Sequence, residues 1–162
     1  EYGIDMSQHK SYDDIYKDFA PLQIWRNMPA LPGSVDAINS LVEKGYDVRC
    51  LTSMPPAYEE DRLYNLQTLG FKINKVYAVD RKTARAQGID NPKLQVIKDT
   101  QAIAFIDDLM KNFTECEGVQ TKLYWLDHQH PEADNPNIGY DTSHVIRVTS
   151  LKEFADIFPK IN

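Results

Sequence analysis

The sequence is poor in the features that mark several large classes of protein. Its 162 residues include only 2 cysteines, Cys50 and Cys116, which excludes a disulfide framework and a four-thiolate zinc site. With 7 glycines and 9 prolines, the composition is neither fibrous nor of low complexity. No hydrophobic run approaches the ~20 residues that a membrane-spanning helix needs, and residues 1–10 are too polar for a signal peptide. We therefore expect no membrane segment and a reducing, cytoplasmic location.

An excess of positive charge is also absent. The 18 Lys and Arg residues are outnumbered by 24 Asp and Glu residues, which gives a formal net charge of −6 at pH 7. Proteins that bind polymeric nucleic acid need a basic face, so the composition argues against that class. It leaves room for a small phosphorylated ligand, because a single local pocket can hold one.

Helical and extended patterns alternate from residue 35 onward. Helices are predicted at 35–42, with Ser34 as the cap, and at 57–69, 109–116 and 151–158, and another begins at Asn91-Pro92. Strands are predicted at 46–52, 75–79, 102–106, 122–126 and 145–148. Alternation of this kind predicts a parallel sheet with helices on both faces. We therefore expect an α/β fold with a three-layer α/β/α sandwich.

Residues able to hold a phosphate and a metal ion follow two of the predicted strands. Thr52 and Ser53 end one strand, and Asp107 and Asp108 follow the apolar run at 102–106. Lys93 opens the helix that leads into the second of these strands. The carboxyl ends of parallel strands meet at one edge of a sheet, so these side chains are predicted to converge. Lys and Thr can bind phosphoryl oxygens and Asp can bind Mg²⁺, which together predict a phosphate–Mg²⁺ site.

Each of these residues also has an ordinary structural interpretation. A Thr after a strand is commonly a helix cap, a lysine such as Lys93 is commonly solvated, and adjacent aspartates are common in loops. Two carboxylates after a buried run are nevertheless costly without a cation, which favours a site. A zinc site can be drawn from His128, His130 and Asp134. A solvated loop is the preferred interpretation there, because the sequence has no further His or Cys cluster.

The order of these motifs resembles that of the haloacid-dehalogenase-like (HAD) phosphatases. Leu31-Pro-Gly33 with the helix that follows, Gly45 and the strand ending at Thr52-Ser53 are similar to the second motif of that family. Lys93 in Asn-Pro-Lys-Leu is similar to the third motif, and Phe105-Ile-Asp-Asp108 to the fourth, acidic motif. The similarity covers residues 28–126. More narrowly, residues 19–33 resemble the lead-in of the 5′(3′)-deoxyribonucleotidase-like branch.

The resemblance implies a HAD-like core with a Rossmann-like sheet at 28–162, preceded by a partial, helical cap segment at 1–27. It also implies a Mg²⁺-dependent phosphomonoester hydrolase that acts through an aspartyl-phosphate. The implied substrate is a small phosphorylated metabolite, such as a nucleotide. Thr52, Ser53 and Lys93 would bind the phosphoryl group, with Thr52 and Lys93 in a catalytic role. Asp107 and Asp108 would hold Mg²⁺.

The first motif of this family, Asp-x-Asp after an apolar strand, has no good match in the chain. Asp5 is the candidate, but Ser7 stands where the second Asp should be, and no apolar strand precedes it. We expect the motif upstream of Glu1 and a core that lacks its first strand. Two buried sheet edges would then stay unpaired unless another segment or chain fills the gap. The alternative function is a catalytically inactive, HAD-like module for ligand binding or interaction.

Overall fold

Helices and strands alternate along the part of the chain that the structure describes. The structure is a computed structural model, and it describes residues 23–128, 137–141 and 143–161. Short 3₁₀ turns at Pro56–Tyr58 and Met110–Asn112 follow β1 and β3. In chain order, the elements are α1 (Ile24–Asn27), α2 (Ser34–Glu43), β1 (Cys50–Ser53), α3 (Glu59–Thr68), β2 (Val76–Val79), α4 (Arg81–Ala86), α5 (Pro92–Thr100), β3 (Ala104–Asp107), β4 (Lys122–Leu126), β5 (Ile146–Val148) and α6 (Leu151–Asp156).

Every strand pairing in the described residues is parallel. β1 pairs with β2, with Cys50 opposite Val76, and β3, β4 and β5 form a second group in that order. The prediction of an α/β fold with parallel strands is thereby confirmed. Among the residues that the structure describes, no strand pairs with the other edge of β1 or with the other edge of β3.

Side chains alternate between the two faces of the strands, and helices cover both faces. Phe105 and Leu123 point to one face, where they pack with Leu94 and Ile97 of α5. The opposite face of β3, β4 and β5 packs against α2 and α6 through one apolar cluster. A strand directs successive side chains to opposite faces, so this arrangement produces three layers. The members of the second cluster include Ala37, Leu41, Tyr124, Leu126, Val148, Phe154 and Ala155.

A cavity of about 540 Å³ is lined by both β1 and β3. Leu51 of β1 packs with the cluster that contains Phe105, on the α5 face. Val48, just before β1, packs on the opposite face with the cluster that holds Ile106. Because β1 and β3 share both faces in this way, the two groups of strands form two parts of one layer, with the cavity between them.

The strand predicted at 46–52 is shorter and begins later, at Cys50. β1 begins at Cys50 because its pairing partner, β2, begins at Val76, which lies opposite Cys50. Just before β1, the Arg49 side chain binds Asp47 and the hydroxyl of Tyr77.

Two helix predictions also need correction. The segment predicted as a helix at 109–116 forms only the short turn Met110–Asn112. The side chains of Asn91 and Asn137 bind backbone groups of this segment that a longer helix would use. Ser34 is not the cap of α2: Gly33 occupies that position with a φ of 74°, and the Ser34 hydroxyl donates to the Leu31 carbonyl. The helix α4, which the sequence analysis missed, is capped by Asp80, whose side chain accepts hydrogen bonds from two backbone N–H groups.

Helix α1 packs on α3. The Asn65 side-chain amide donates to the carbonyls of Arg26 and Met28, and the rings of Trp25 and Tyr58 lie 6.4 Å apart. The remainder of the predicted cap segment, including Asp5, lies outside the described residues. None of the described helices is both long and apolar enough to cross a membrane.

Candidate functional site

The end of β3 carries a buried ion pair. Asp107 is the last residue of β3 and Lys93 lies in the first turn of α5, and each side chain is only 7% exposed. The Lys93 Nζ lies 2.6 Å from the Asp107 Oδ2. The Asp107 Oδ1 accepts hydrogen bonds from the Leu109 N–H at 2.9 Å and from the Asn112 amide at 2.5 Å. Both carboxylate oxygens are therefore engaged, as a buried carboxylate requires.

Asn91 fixes the position of Lys93. Its side-chain oxygen caps α5 by accepting from the Lys93 N–H, and Pro92 occupies the first position of the helix. Its side-chain nitrogen donates to the carbonyls of Asn112 and Thr114, at 2.9 and 2.8 Å. One buried side chain thus ties the start of α5 to the segment after β3, and Lys93 and Asp107 are held together from both sides.

Asp108, although adjacent to Asp107, lies in a different environment. Its side chain is 51% exposed, and its Oδ2 lies 3.9 Å from the His128 Nε2. Burial raises the pKa of the Asp108 carboxyl, and the negative charge of Asp107 raises this pKa further. The backbone carbonyl of Asp108 accepts hydrogen bonds from the side chains of Trp125 and Asn137. The backbone is held in place while the carboxylate stays accessible.

The end of β1 carries Thr52 and Ser53, both half-buried. The Arg81 Nε donates to the Ser53 Oγ at 3.0 Å, so the start of α4 is joined to the end of β1. One terminal nitrogen of Arg81, Nη2, is buried and has no hydrogen-bond partner among the described residues. Burial lowers the pKa of the Arg81 guanidinium, while the nearby carboxylate of Asp107 acts in the opposite direction. Arg81, which directly follows β2 and the helix cap Asp80, therefore connects the end of β2 to the end of β1.

The five predicted site residues all lie at this edge. Lys93 and Asp107 are in direct contact, Asp108 follows at the surface, and Thr52 and Ser53 lie at the end of β1. The roles assigned to these residues stay predictions. Sequence reasoning missed Arg81, Asn91 as a positioning residue, and Asn112. Arg81 had one available signal, because it follows β2 directly, at the edge where a parallel sheet gathers its functional groups.

The acidic residues at the edge can be compared with what Mg²⁺ requires. The described part of the chain has no group of three or more His, Cys, Asp or Glu side chains able to hold a metal ion. Mg²⁺ usually takes one or two carboxylates and completes its shell with water and substrate phosphate. The accessible carboxylate of Asp108 fits that demand. Asp107 fits it less well, since both of its oxygens already accept hydrogen bonds.

Comparison with known proteins gives a structural match. No protein-family model and no curated protein match the chain. A crystal structure of a dehalogenase with an intermediate complex aligns with a TM-score of 0.60 over 96% of this chain and 68% of the other, at 13% sequence identity. The chain has a HAD-like fold. At this identity the match shows a shared fold and not a shared reaction, so the activity has to be argued from the site.

Proposed function

We propose that this HAD-like chain is a Mg²⁺-dependent hydrolase of small phosphomonoesters that acts through an aspartyl-phosphate. The observation that carries the proposal is the buried Lys93–Asp107 pair at the carboxyl edge of the sheet. A buried ammonium in a fixed position is a preorganised electrostatic group, the kind that stabilises charge on a transferring phosphoryl group. Thr52 and Ser53 at the same edge add hydroxyl donors for phosphoryl oxygens.

In this proposal each group has a separate task. Lys93 balances the charge on the phosphoryl oxygens, while Thr52 donates a hydrogen bond to one of them. Asp107 orients Lys93 through the ion pair and is itself oriented by Asn112. Asp108 holds Mg²⁺, which when bound supplies positive charge at the phosphate.

The nucleophile in this proposal is a carboxylate from outside the described residues. One of its oxygens bonds to phosphorus as the bond from phosphorus to the leaving alkoxide breaks, and the alkoxide takes a proton. Water then hydrolyses the aspartyl-phosphate, which releases inorganic phosphate and restores the carboxylate. Asp107 does not fit this role, because the ion pair and two hydrogen bonds engage both of its oxygens.

The proposed substrate is a small phosphorylated metabolite of about the size of a nucleotide. A second cavity, of about 480 Å³, lies beside the site. That volume is within the usual range of about 300–1,000 Å³ for small-molecule pockets. The cavity presents three cationic side chains and one aromatic ring together with two acidic side chains: Arg81, Arg85, Lys111, Tyr140, Asp90 and Glu115.

One observation favours a second candidate, a module that binds phosphate without turnover. Of the two carboxylates after β3, Asp107 is fully engaged and Asp108 is the one suited to a cation, so neither fits the role of nucleophile. A chain of this kind would retain the Lys93 and Thr52 contacts to phosphate and lack only the covalent step.

Turnover of p-nitrophenyl phosphate and nucleoside monophosphates, with Mg²⁺ and with EDTA, separates the two candidates. We expect no turnover from the 162 residues alone. Turnover should appear when the chain is extended before Glu1 by an apolar strand ending in Asp-x-Asp. In the extended form, Asp5→Asn should leave the rate nearly unchanged. If the 162 residues alone are active and Asp5→Asn removes that activity, Asp5 is the nucleophile.

Lys93→Met in the extended form tests the role of the ammonium. It should lower kcat/KM by ~10²-fold or more, the usual result of losing one preorganised electrostatic group. Lys98→Met is the matched control, because Lys98 lies exposed in the last turn of the same helix. Because Lys93→Met leaves the Asp107 carboxylate buried without its partner, circular dichroism and urea denaturation check that both variants stay folded under the assay conditions. Binding of inorganic phosphate with no turnover of any phosphomonoester by the extended form would instead support the binding module.

A further inference from the structure

The cavity beside the candidate site is lined by three cationic side chains from two separate segments of the chain. Arg81 and Arg85 lie on α4, and Lys111 lies in the short turn after β3. Arg81 also reaches the candidate site, because its Nε donates to the Ser53 Oγ at 3.0 Å. One side chain therefore binds a residue of the proposed phosphoryl site and lines the second cavity, so the two spaces adjoin.

The cations of this cavity are not neutralised by ion pairs. Within the described part of the chain, the side chains of Arg85 and Lys111 make no hydrogen bond and no ion pair, and the buried Nη2 of Arg81 has no hydrogen-bond partner. The carboxylates of Asp90 and Glu115 line the same cavity, but neither pairs with a cation among the described residues. The cavity therefore carries an excess of positive charge that an anion could balance.

Two of the cations are also unfavourably placed with respect to each other. Burial lowers the pKa of the Lys111 ammonium, and the positive charge of Arg81 lowers it further. Burial likewise lowers the pKa of the Arg81 guanidinium, and the Asp107 carboxylate acts in the opposite direction on both groups. An anion bound to both side chains would offset their repulsion and their loss of hydration.

The lining also offers a surface for the uncharged part of a ligand. Tyr140 and Ile89 are both exposed and line the same cavity as the cations. An aromatic ring provides a large apolar face on which a base or another flat group can stack. The cavity is therefore suited to an organic anion and not only to an inorganic one.

We propose that this cavity binds a second anionic group of the substrate, so that the substrate class is a phosphomonoester that also carries a phosphate or a carboxylate. The phosphoryl group to be hydrolysed binds at Lys93 and Thr52. The second anion binds at Arg81, Arg85 and Lys111, where charge-assisted hydrogen bonds hold it. The inference rests on the proposed function for the position of the first group, but anion binding in the cavity can be measured without turnover.

The test measures the affinity of the 162-residue chain for two matched pairs of ligands by calorimetry in the presence of Mg²⁺. Adenosine 5′-monophosphate is compared with adenosine 3′,5′-bisphosphate, and glycerol 3-phosphate with 3-phosphoglycerate. We expect the ligand with the second anion to bind at least about 10-fold more tightly. A gain in the first pair alone identifies the second group as a phosphate, a gain in the second pair alone identifies it as a carboxylate, and a gain in both shows that the cavity accepts either anion.

Substitutions locate the second anion on the protein. Lys111→Met and Arg85→Met should each reduce the gain by at least about 3-fold, because each removes one cation. Lys122→Met is the matched control and should leave the gain intact, since Lys122 is exposed at the start of β4, at the opposite edge of the sheet. Glu115→Gln removes a like charge and should tighten binding of the ligand with two anions. An increase in affinity cannot result from a damaged fold, so this variant keeps the test decisive.

Three results would overturn the proposal: no binding of any of the four ligands, equal affinity within both pairs, or a gain that both Lys111→Met and Arg85→Met leave intact. Turnover of p-nitrophenyl phosphate by the extended form, together with equal affinities, would contradict the second anion site and leave the hydrolase proposal standing. Absence of turnover by the extended form, together with a gain that depends on Lys111, would contradict the hydrolase and support the anion site.

Discussion

The ends of β3 and β1, which form the candidate site, differ in how many contacts hold their polar side chains. At the end of β3, Asp107 accepts three hydrogen bonds or ion contacts, and Asn91 holds the adjoining segments together. At the end of β1, Ser53 accepts one hydrogen bond from Arg81, and Thr52 is half-buried. Among the described residues, the β3 end is therefore held by more contacts than the β1 end. Substitutions at the β3 end should therefore cost more stability than substitutions at the β1 end.

The largest effect is expected from Asp107→Ala. This change leaves the Lys93 ammonium buried without its partner, and breaking a buried ion pair on one side costs about 3–5 kcal/mol. Urea denaturation, followed by circular dichroism, measures the free energy of unfolding. Asp99→Ala is the control, since Asp99 is an exposed carboxylate in α5. A loss below about 1 kcal/mol, typical of exposed ion pairs, would show that the β3 end is not a stabilising element.

A smaller, pH-dependent effect is expected from Asp108→Asn. Burial and the charge of Asp107 raise the pKa of the Asp108 carboxyl above its ordinary value of 3.8. The folded state therefore binds the proton more tightly than the unfolded state, and stability is lost as the pH rises from that ordinary value through the raised pKa. The side chain of the variant carries no charge, so at neutral pH the variant should melt at a higher temperature than the parent.

Thermal melts at neutral pH and below pH 3.8 check both the sign and the window of this effect. The advantage of Asp108→Asn should disappear in acid, where the carboxyl is protonated in both states. A variant that is less stable than the parent at neutral pH, without added metal, would reverse the sign and contradict the prediction.

The smallest effect on stability is expected from Thr52→Val. The substitution removes the hydroxyl and keeps the branched shape of a half-buried side chain, so the free energy of unfolding should change by less than about 0.5 kcal/mol. In the proposed function, the same variant loses a donor to the phosphoryl group, and kcat should fall by roughly 10²-fold. If Thr52→Val lowers the free energy of unfolding as much as Asp107→Ala does, the β3 end does not contribute more to stability than the β1 end.

The part of the site that could be predicted depends on local signals. Lys93 follows an Asn-Pro helix start, and Asp107 follows an apolar strand, so periodicity and capping place both residues at a strand end. Their convergence follows from the parallel topology. The sequence did not predict that Asp107 is buried and Asp108 exposed. Which of the two carboxylates is buried depends on the turn after β3 and not on the apolar run before it.

The failures of prediction come from contacts distant in the sequence. The apolar pattern at 109–116 predicts a helix. In the structure, however, the Asn91 side-chain nitrogen donates hydrogen bonds to the carbonyls of Asn112 and Thr114. The start of β1 is set by where β2 begins, which Tyr46–Arg49 cannot reveal. Arg81 joins the site through Ser53, which lies 28 positions earlier in the chain. In each case the residue that determines the local structure is too distant in the sequence to be part of the same periodic pattern.

The burial of Lys93 has a consequence for hydration. A solvated lysine has to shed tightly held water before it can touch an anion, and this cost reduces the affinity of exposed lysines for phosphate. Lys93 is already dry, because the fold surrounds it with α5, β3 and the Asp107 carboxylate. Its dehydration is completed during folding and is not repeated at each encounter with a ligand. An anion that reaches the ammonium has to shed only its own water.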